Sequence, residues 1–231
     1  MLGTIVNCLT IIAGSLVGIL FRNGIPEKYN QTIMHAIGLS VILVGMKSAL
    51  GCNDLLIIII SLAIGSLVGE WIGIENYLER LGNFLETKFS KTSSGFSNGF
   101  VTASLIYCVG SMAIVGSLES GLTGNHATLF AKSTLDGIVS IILSSSLGIG
   151  VLFSVVPVLL YQGSITLMAG FLKPFLIPAV VSQMSSVGGL LILAIGLNMI
   201  REKKLRVGNM LPAIFIPLIY YFIKSGLGMG I

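Results

Sequence analysis

Charge is what this chain has least of. Of its 231 residues, 13 are Lys or Arg and 9 are Asp or Glu, together 10%, where a water-soluble domain carries about a quarter. Set beside 54% hydrophobic residues, that scarcity excludes both an ordinary soluble enzyme and a disordered chain. The net charge is +4, but the basic residues mostly flank apolar runs. They build no phosphate-binding face, and no nucleic-acid partner is expected. Cysteine occurs three times, at Cys8, Cys52 and Cys108, without the close spacing of a disulfide framework or a zinc site. There is no His-Glu-x-x-His, Gly-x-Ser-x-Gly, Walker or Cys-x-x-Cys pattern. The chain is therefore read as neither an enzyme nor a metal or cofactor carrier.

What is present is apolar sequence in lengths that match a bilayer. The mean hydropathy is +0.99, and about 20 apolar residues cross a hydrocarbon core of about 30 Å. Met1 to Phe21, Ile33 to Leu50, Leu55 to Ile74 and Phe100 to Leu118 are four such runs. Leu135 to Val181 runs 47 residues almost unbroken. It must turn, at Gly148-Ile149-Gly150 or at Tyr161-Gln162-Gly163, and hydropathy does not choose between them. Ser186 to Ile200 and Met210 to Met229 complete a prediction of about eight spans in an all-α transmembrane bundle. The chain reads as one integral membrane domain, residues 1–231, with spans one to three in 1–74 and spans four to eight in 99–231. Residues 75–98 read as a cytoplasmic interfacial helix and linker, with Ile74, Tyr77, Leu78, Leu81, Phe84 and Leu85 on one helical face. With no basic region after Met1, the first run is expected to be a retained helix and not a cleaved signal.

Polar residues within apolar runs mark the candidate chemistry, because a charge at a helix centre costs about 2.5–3.5 kcal/mol on insertion scales. The densest set lies around the start of span five: Glu119, Asn125, Lys132, Ser133, Asp136, Ser140 and Ser144. Lys132 and Asp136, spaced i, i+4, stack on one helix face, and Ser133, Ser140 and Ser144 fall on the same side. Leu135, Ile138, Val139 and Ile142 lie largely opposite. This face reads either as the lining of a solute path or as an intrahelical ion pair with serines bonded back to their own helix. Gln162 joins the path candidates, as a turn residue or as a polar group in the core. Asn7 and Asn198 read as interhelical hydrogen-bond partners, and Glu70 as a residue that snorkels to the headgroups. Gly-Ser-Leu-Val-Gly occurs twice, at Gly14–Gly18 and Gly65–Gly69. Such spacing lets helix backbones approach closely. It also leaves an internal repeat and a homo-oligomer open, as does Ala-Ile-Gly-Leu at Ala36–Leu39 and Ala194–Leu197.

Several motifs are similar to those of the YdfK/YqgA-type bacterial membrane proteins, domain-of-unknown-function family 554. They are Gly3-Thr-Ile-Val-Asn7, Cys108-Val-Gly-Ser-Met-Ala-Ile-Val-Gly116, Gly121-Leu-Thr-Gly-Asn-His126, and Lys132 with Leu135-Asp136-Gly137. Further along come Tyr161-Gln-Gly-Ser164, Val187-Gly-Gly-Leu-Leu191, Gly196-Leu-Asn198 and Asn209-Met-Leu-Pro-Ala213. Where the family commonly carries an acid ahead of Val187, this chain has Gln183. The resemblance implies a multi-pass protein of the bacterial cytoplasmic membrane, suspected of transport, with no known substrate. Two functions are carried forward: a secondary transporter or channel for a small polar or ionic solute, and a non-transporting scaffold that binds a membrane partner.

Topology is the most exposed of these expectations. With eight spans and both termini outside, nine basic residues fall on the cytoplasmic side and four on the other, as the positive-inside rule requires. Seven spans would put the Arg201–Arg206 loop opposite the other basic loops. A single cysteine at Glu202, in a background lacking Cys8, Cys52 and Cys108, should therefore stay unlabelled by an impermeant thiol reagent added to intact cells. Labelling there would overturn the topology.

Overall fold

The structure, a computed structural model, describes residues 1–22, 27–52, 54–78, 80, 96–201 and 205–226. All regular structure among them is helical. The elements are α1 (Leu2–Arg22), α2 (Glu27–Ala49), α3 (Leu55–Ile72), α4 (Phe96–Val109), α5 (Ser111–Leu122), α6 (Ala127–Leu147), α7 (Gly150–Phe153), α8 (Val155–Leu167), α9 (Ala169–Leu172), α10 (Pro178–Ile200), a 3₁₀ helix (Val207–Phe215) and α11 (Ile216–Gly226). Six helical stretches are long and apolar enough to cross a bilayer. The bent pair α4–α5 makes a seventh if it is one span, and α2 carries a shorter apolar stretch, His35–Ala49. At 1.5 Å per residue, the 21 residues of α1 extend about 31 Å, a full hydrocarbon thickness. Large apolar side chains such as Leu20, Leu43, Leu67, Trp71, Leu160 and Ile223 point outward. That surface suits lipid, where exposed apolar area carries no penalty.

The long apolar run divides at Gly148. This residue caps α6 with φ +77°, a conformation open to glycine and strained for residues with a Cβ. The alternative turn, Tyr161-Gln162-Gly163, is instead the middle of α8. A second break at residues 173–177 precedes Pro178, which opens α10 at a position where its missing N–H removes no helical bond. Span seven thus begins eight residues before the expected Ser186. The fourth span also departs from expectation: it runs from Phe96 to Leu122 and bends by 58° at Gly110. A Gly-Ser pair at a sharp kink is a recognised cause. Of the interfacial helix expected over 75–98, a helical turn over 74–78 is present after the Gly73 cap of α3, and residues 79 and 81–95 lie outside the described residues.

Lipid offers no hydrophobic drive for helices to associate, so small residues that admit close packing decide which helices meet. In this chain glycine makes the pairs. A methyl group placed on Gly14 would overlap the Gly137 carbonyl, and one on Gly18 would meet Ile141 and Ser144; Gly3 sits on Leu129. Numbering rises together along both partners, so α1 and α6 are parallel. The bent span α4–α5 likewise runs parallel to α7–α9, with Gly150 on Phe96 and Gly121 on Thr166 and Ala169. The other two pairs are antiparallel. Gly65 and Gly69 meet Ala213 and Asn209 of the 3₁₀ helix. Between α2 and α10 the contacts are reciprocal. Gly45 and Gly189 would each bring a Cβ to 2.7 Å from the other's carbonyl oxygen, and Gly38 and Gly196 face each other in the same way.

These four pairs have a property that no single one reveals. Exchange α1 with α7–α9, α2 with α10, α3 with the 3₁₀–α11 segment, and α4–α5 with α6. Every pair then maps onto a pair of the same direction, either itself or another of the four. The glycines of the recurring pentapeptides are occupied inside the chain in this arrangement. They present no face to a second copy.

Replacing Gly14 or Gly65 with leucine forces these backbones apart. Each variant should lose about 1–3 kcal/mol, the usual range for overpacking, seen as a lower melting temperature of the detergent-purified protein. Unchanged melting would mean that these faces look at lipid.

Candidate functional site

The polar residues of α6 divide between two surroundings. Ser133, Ser140 and Ser144 hydrogen-bond to carbonyls one turn back, Leu129, Asp136 and Ser140 respectively. This local option satisfies a hydroxyl without a partner helix. Their small size then matters more than their polarity. Ser140 and Ser144 lie under Gly14 and Gly18 of α1. The serine strip is a helix-packing surface.

Lys132 and Asp136 face elsewhere. They are 5% and 6% exposed, and Lys132 Nζ donates to Asp136 Oδ2 at 2.6 Å. The same oxygen accepts a hydrogen bond from Asn7 Nδ2 of α1 at 3.0 Å, and Asn7 also donates to Gln162 Oε1 of α8 at 3.4 Å. Tyr107 of α4 closes the group: its hydroxyl lies 2.7 Å from Ser140 Oγ, and its ring centroid lies 6.0 Å from Lys132 Nζ. Four spans therefore contribute to one polar group, with Asn7 of α1 the partner that another span supplies to the carboxylate itself. The set is not fully satisfied. Asn7 Oδ1 and Gln162 Nε2 are buried without a partner, and Lys132 uses one of its three N–H donors.

Beside this group lies a cavity of about 1060 Å³, bounded by α2, α4–α5, α6 and the start of α10. Lys132 and Asp136 form part of its wall, with Leu135, Val139 and Ile142 of the same helix. The sequence pattern put those three opposite the polar pair. The structure turns the helix so that the pair sits at the edge of an otherwise apolar wall, while the serines pack on α1. Lys47, Ser40, Ser48, Ser182 and Ser185 contribute the remaining polar side chains, and Gly110 exposes the bend of the fourth span. The lining residues lie toward the end of α2 and the start of α10, so the cavity occupies that half of the bundle. In the opposite half, α4 packs against α10.

Other candidates serve as supports. Glu119 accepts from Thr128 at 2.7 Å, and Asn125 accepts the Ala127 N–H at 3.1 Å, so both hold the α5–α6 hairpin that sets the height of Lys132. Neither they nor Gln162 line the cavity. Glu70, expected to snorkel, instead accepts from Arg206 at 2.8 Å and from Asn209. Asn209 in turn accepts the Glu75 N–H at 2.7 Å. Asn198 bonds both backbone groups of Leu205, fixing the entry to the 3₁₀ helix. Tyr107, Gly110 and Ser185 were not singled out in the sequence. Gly110-Ser111 inside an apolar run was the available signal.

A buried pair of this kind makes a measurable prediction. Lys132→Met and Asp136→Asn each strand a charge, at about 3–5 kcal/mol when burial is deep. Each should lower the melting temperature, and the double variant should recover much of the loss, measured as a double-mutant cycle in detergent. Additive losses would mean the two residues are uncoupled.

Comparison with known proteins supplies a family. The chain is 35% identical over 233 residues to a Bacillus subtilis (strain 168) protein described as uncharacterized membrane protein YdfK, covering 99% of each. It is 28% identical over 220 residues to the uncharacterized protein YqgA of Escherichia coli (strain K12), covering 93% of this chain and 94% of that one. No solved structure matches it. A family model described as a protein of unknown function, DUF554, matches residues 2–222, and this chain, a multi-helix membrane protein, belongs to that family.

Proposed function

We propose that this protein is a secondary transporter of a small polar or ionic solute in the bacterial cytoplasmic membrane, with the cavity beside Lys132 and Asp136 as its solute site. The observation that carries the reading is where the cavity lies. Its walls are α2, α10, α4–α5 and α6, two complete sets of the spans that exchange when the two parts of the chain are interchanged. An inverted repeat places a solute site at the interface between its repeats and lets the repeats rock against one another. Here α1–α3 and the α7–α11 region are the repeats, and α4–α6 join them. A cavity in one half of the bundle, with α4 packed on α10 in the other, fits one of two states that such rocking would interconvert. The packing directions support eight crossings, with α4–α5 counted as one bent span, and the basic loops favour both termini outside. Parallel pairs then join spans of equal sense, and antiparallel pairs join spans of opposite sense. The scaffold reading loses much of its basis, because the glycine motifs it relied on are engaged within the chain.

Flux decides it. Purified protein in liposomes, assayed against a panel of ions and small metabolites, should transport at least one solute. The stable Lys132→Met/Asp136→Asn double variant should fall to background or change selectivity. Silence across a broad panel, or an unaltered double variant, would remove the transport role of the pair.

A further inference from the structure

The cavity's chemistry narrows its occupant. Three charged side chains line it, Lys47, Lys132 and Asp136, so its wall is one charge more positive than negative. Asp136 is matched by Lys132 at 2.6 Å, and Lys47 makes no ion pair among the described residues. The ammonium of Lys132 keeps two N–H donors without a protein acceptor although the residue is 5% exposed. A further source of positive potential comes from the backbone. The 12-residue α5 starts at Ser111, directly after Gly110, and Gly110 and Met112 both line the cavity. The first N–H groups of a helix lack intrahelical acceptors and carry the positive end of its dipole. The Lys132 and Lys47 ammonium groups and the start of α5 thus line one cavity, and most of the rest of its wall is valine, leucine, isoleucine and methionine, with a few serines.

We infer that the cavity binds a carboxylate with an apolar body, its head group at Lys132 and the start of α5, with Lys47 at the mouth. The apolar walls take the body. Leu135 and Ile142, cavity-lining residues on α6, are 55% and 49% exposed, so the apolar wall is accessible to the body. Gly110 is the sharpest element of this site. Its backbone, at φ −65° and ψ 145°, suits any residue, and a Cβ there would meet nothing within 4 Å. A glycine that packing does not need leaves room for a ligand beside the helix start. The inference rests on reading this cavity as the solute site, and not on whether the solute crosses the membrane.

The test is binding by the purified full-length protein in detergent, read by thermal shift and calorimetry. Probes are butanoate, hexanoate, decanoate and palmitate, each with its neutral amide and its amine. The carboxylates should raise the melting temperature and give saturable heat, while amides and amines of equal length do not. Affinity that peaks at the short acids assigns an aqueous solute, and affinity rising to palmitate assigns a lipid-derived one. Gly110→Leu should melt like the parent and bind none of them. Lys47→Gln, also stable, should bind about tenfold more weakly, the loss of a charge contact near a rim. Amides or amines binding as well as carboxylates would overturn the proposal. So would carboxylate binding undiminished in both variants, or no carboxylate binding at all. Binding without flux would leave the site standing and remove transport. Flux of other solutes without carboxylate binding would do the reverse.

Discussion

Backbone approach at glycine is the constraint on which this structure depends. In water, burying a leucine face would bring two helices together. In lipid the tails are as apolar as the leucines, so a pair of helices gains mainly by fitting closely. Gly14 and Gly18 on α6, Gly65 and Gly69 on the 3₁₀ helix, and Gly38 and Gly45 against Gly196 and Gly189 each bring backbone to backbone. Those contacts fix the bundle's pairing. The pairing in turn leaves α2 and α6 with little contact between them, and the cavity lies in that space.

The polar centre is built on the same frame. Asn7 reaches Asp136 because α1 lies flush on α6, and Gln162 reaches Asn7 because α8 lies beside α1. A single carboxylate at this depth would be costly. Besides its counterion it accepts from Asn7, which Gln162 holds in turn, and this linked set makes a charge tolerable inside lipid. Partial satisfaction is the informative residue of this arrangement. Of the groups left over, those on Asn7 and Gln162 are enclosed among the helices, and the spare donors of Lys132 belong to a residue on the cavity wall.

Much of this was legible in the sequence, and the failures have physical causes. The span lengths and the ion pair at Lys132 and Asp136 follow from hydropathy and from 3.6-residue periodicity, and the glycine faces followed from spacing alone. The serine strip was misplaced because periodicity reports which residues share a face, not what that face meets. A small hydroxyl bonded to its own helix serves packing as well as alanine does. The bend at Gly110 left no mark in hydropathy, since both sides of it are apolar. The turn at Gly148 could not be separated from Tyr161-Gln162-Gly163 without knowing that Gln162 has Asn7 to bond. Glu70 was read against lipid headgroups because Arg206 and Asn209 are more than 130 residues away in sequence.

The pairing also sets a timetable for biosynthesis. Every principal partner of α1, α2 and α3 lies in the second half of the chain. With about 125 residues between the end of α1 and the end of α6, synthesis at roughly 5–20 residues per second leaves α1 waiting roughly 6–25 s. During that interval three helices stand in the bilayer with their glycine faces uncovered and Asn7 without Asp136. They must persist on hydropathy alone, and α1 and α3 are suited to it, carrying between them Arg22 and Glu70 as their only charges, each at a helix end. The chain keeps its ionised pair for a helix that arrives when the first three are already in place to receive it.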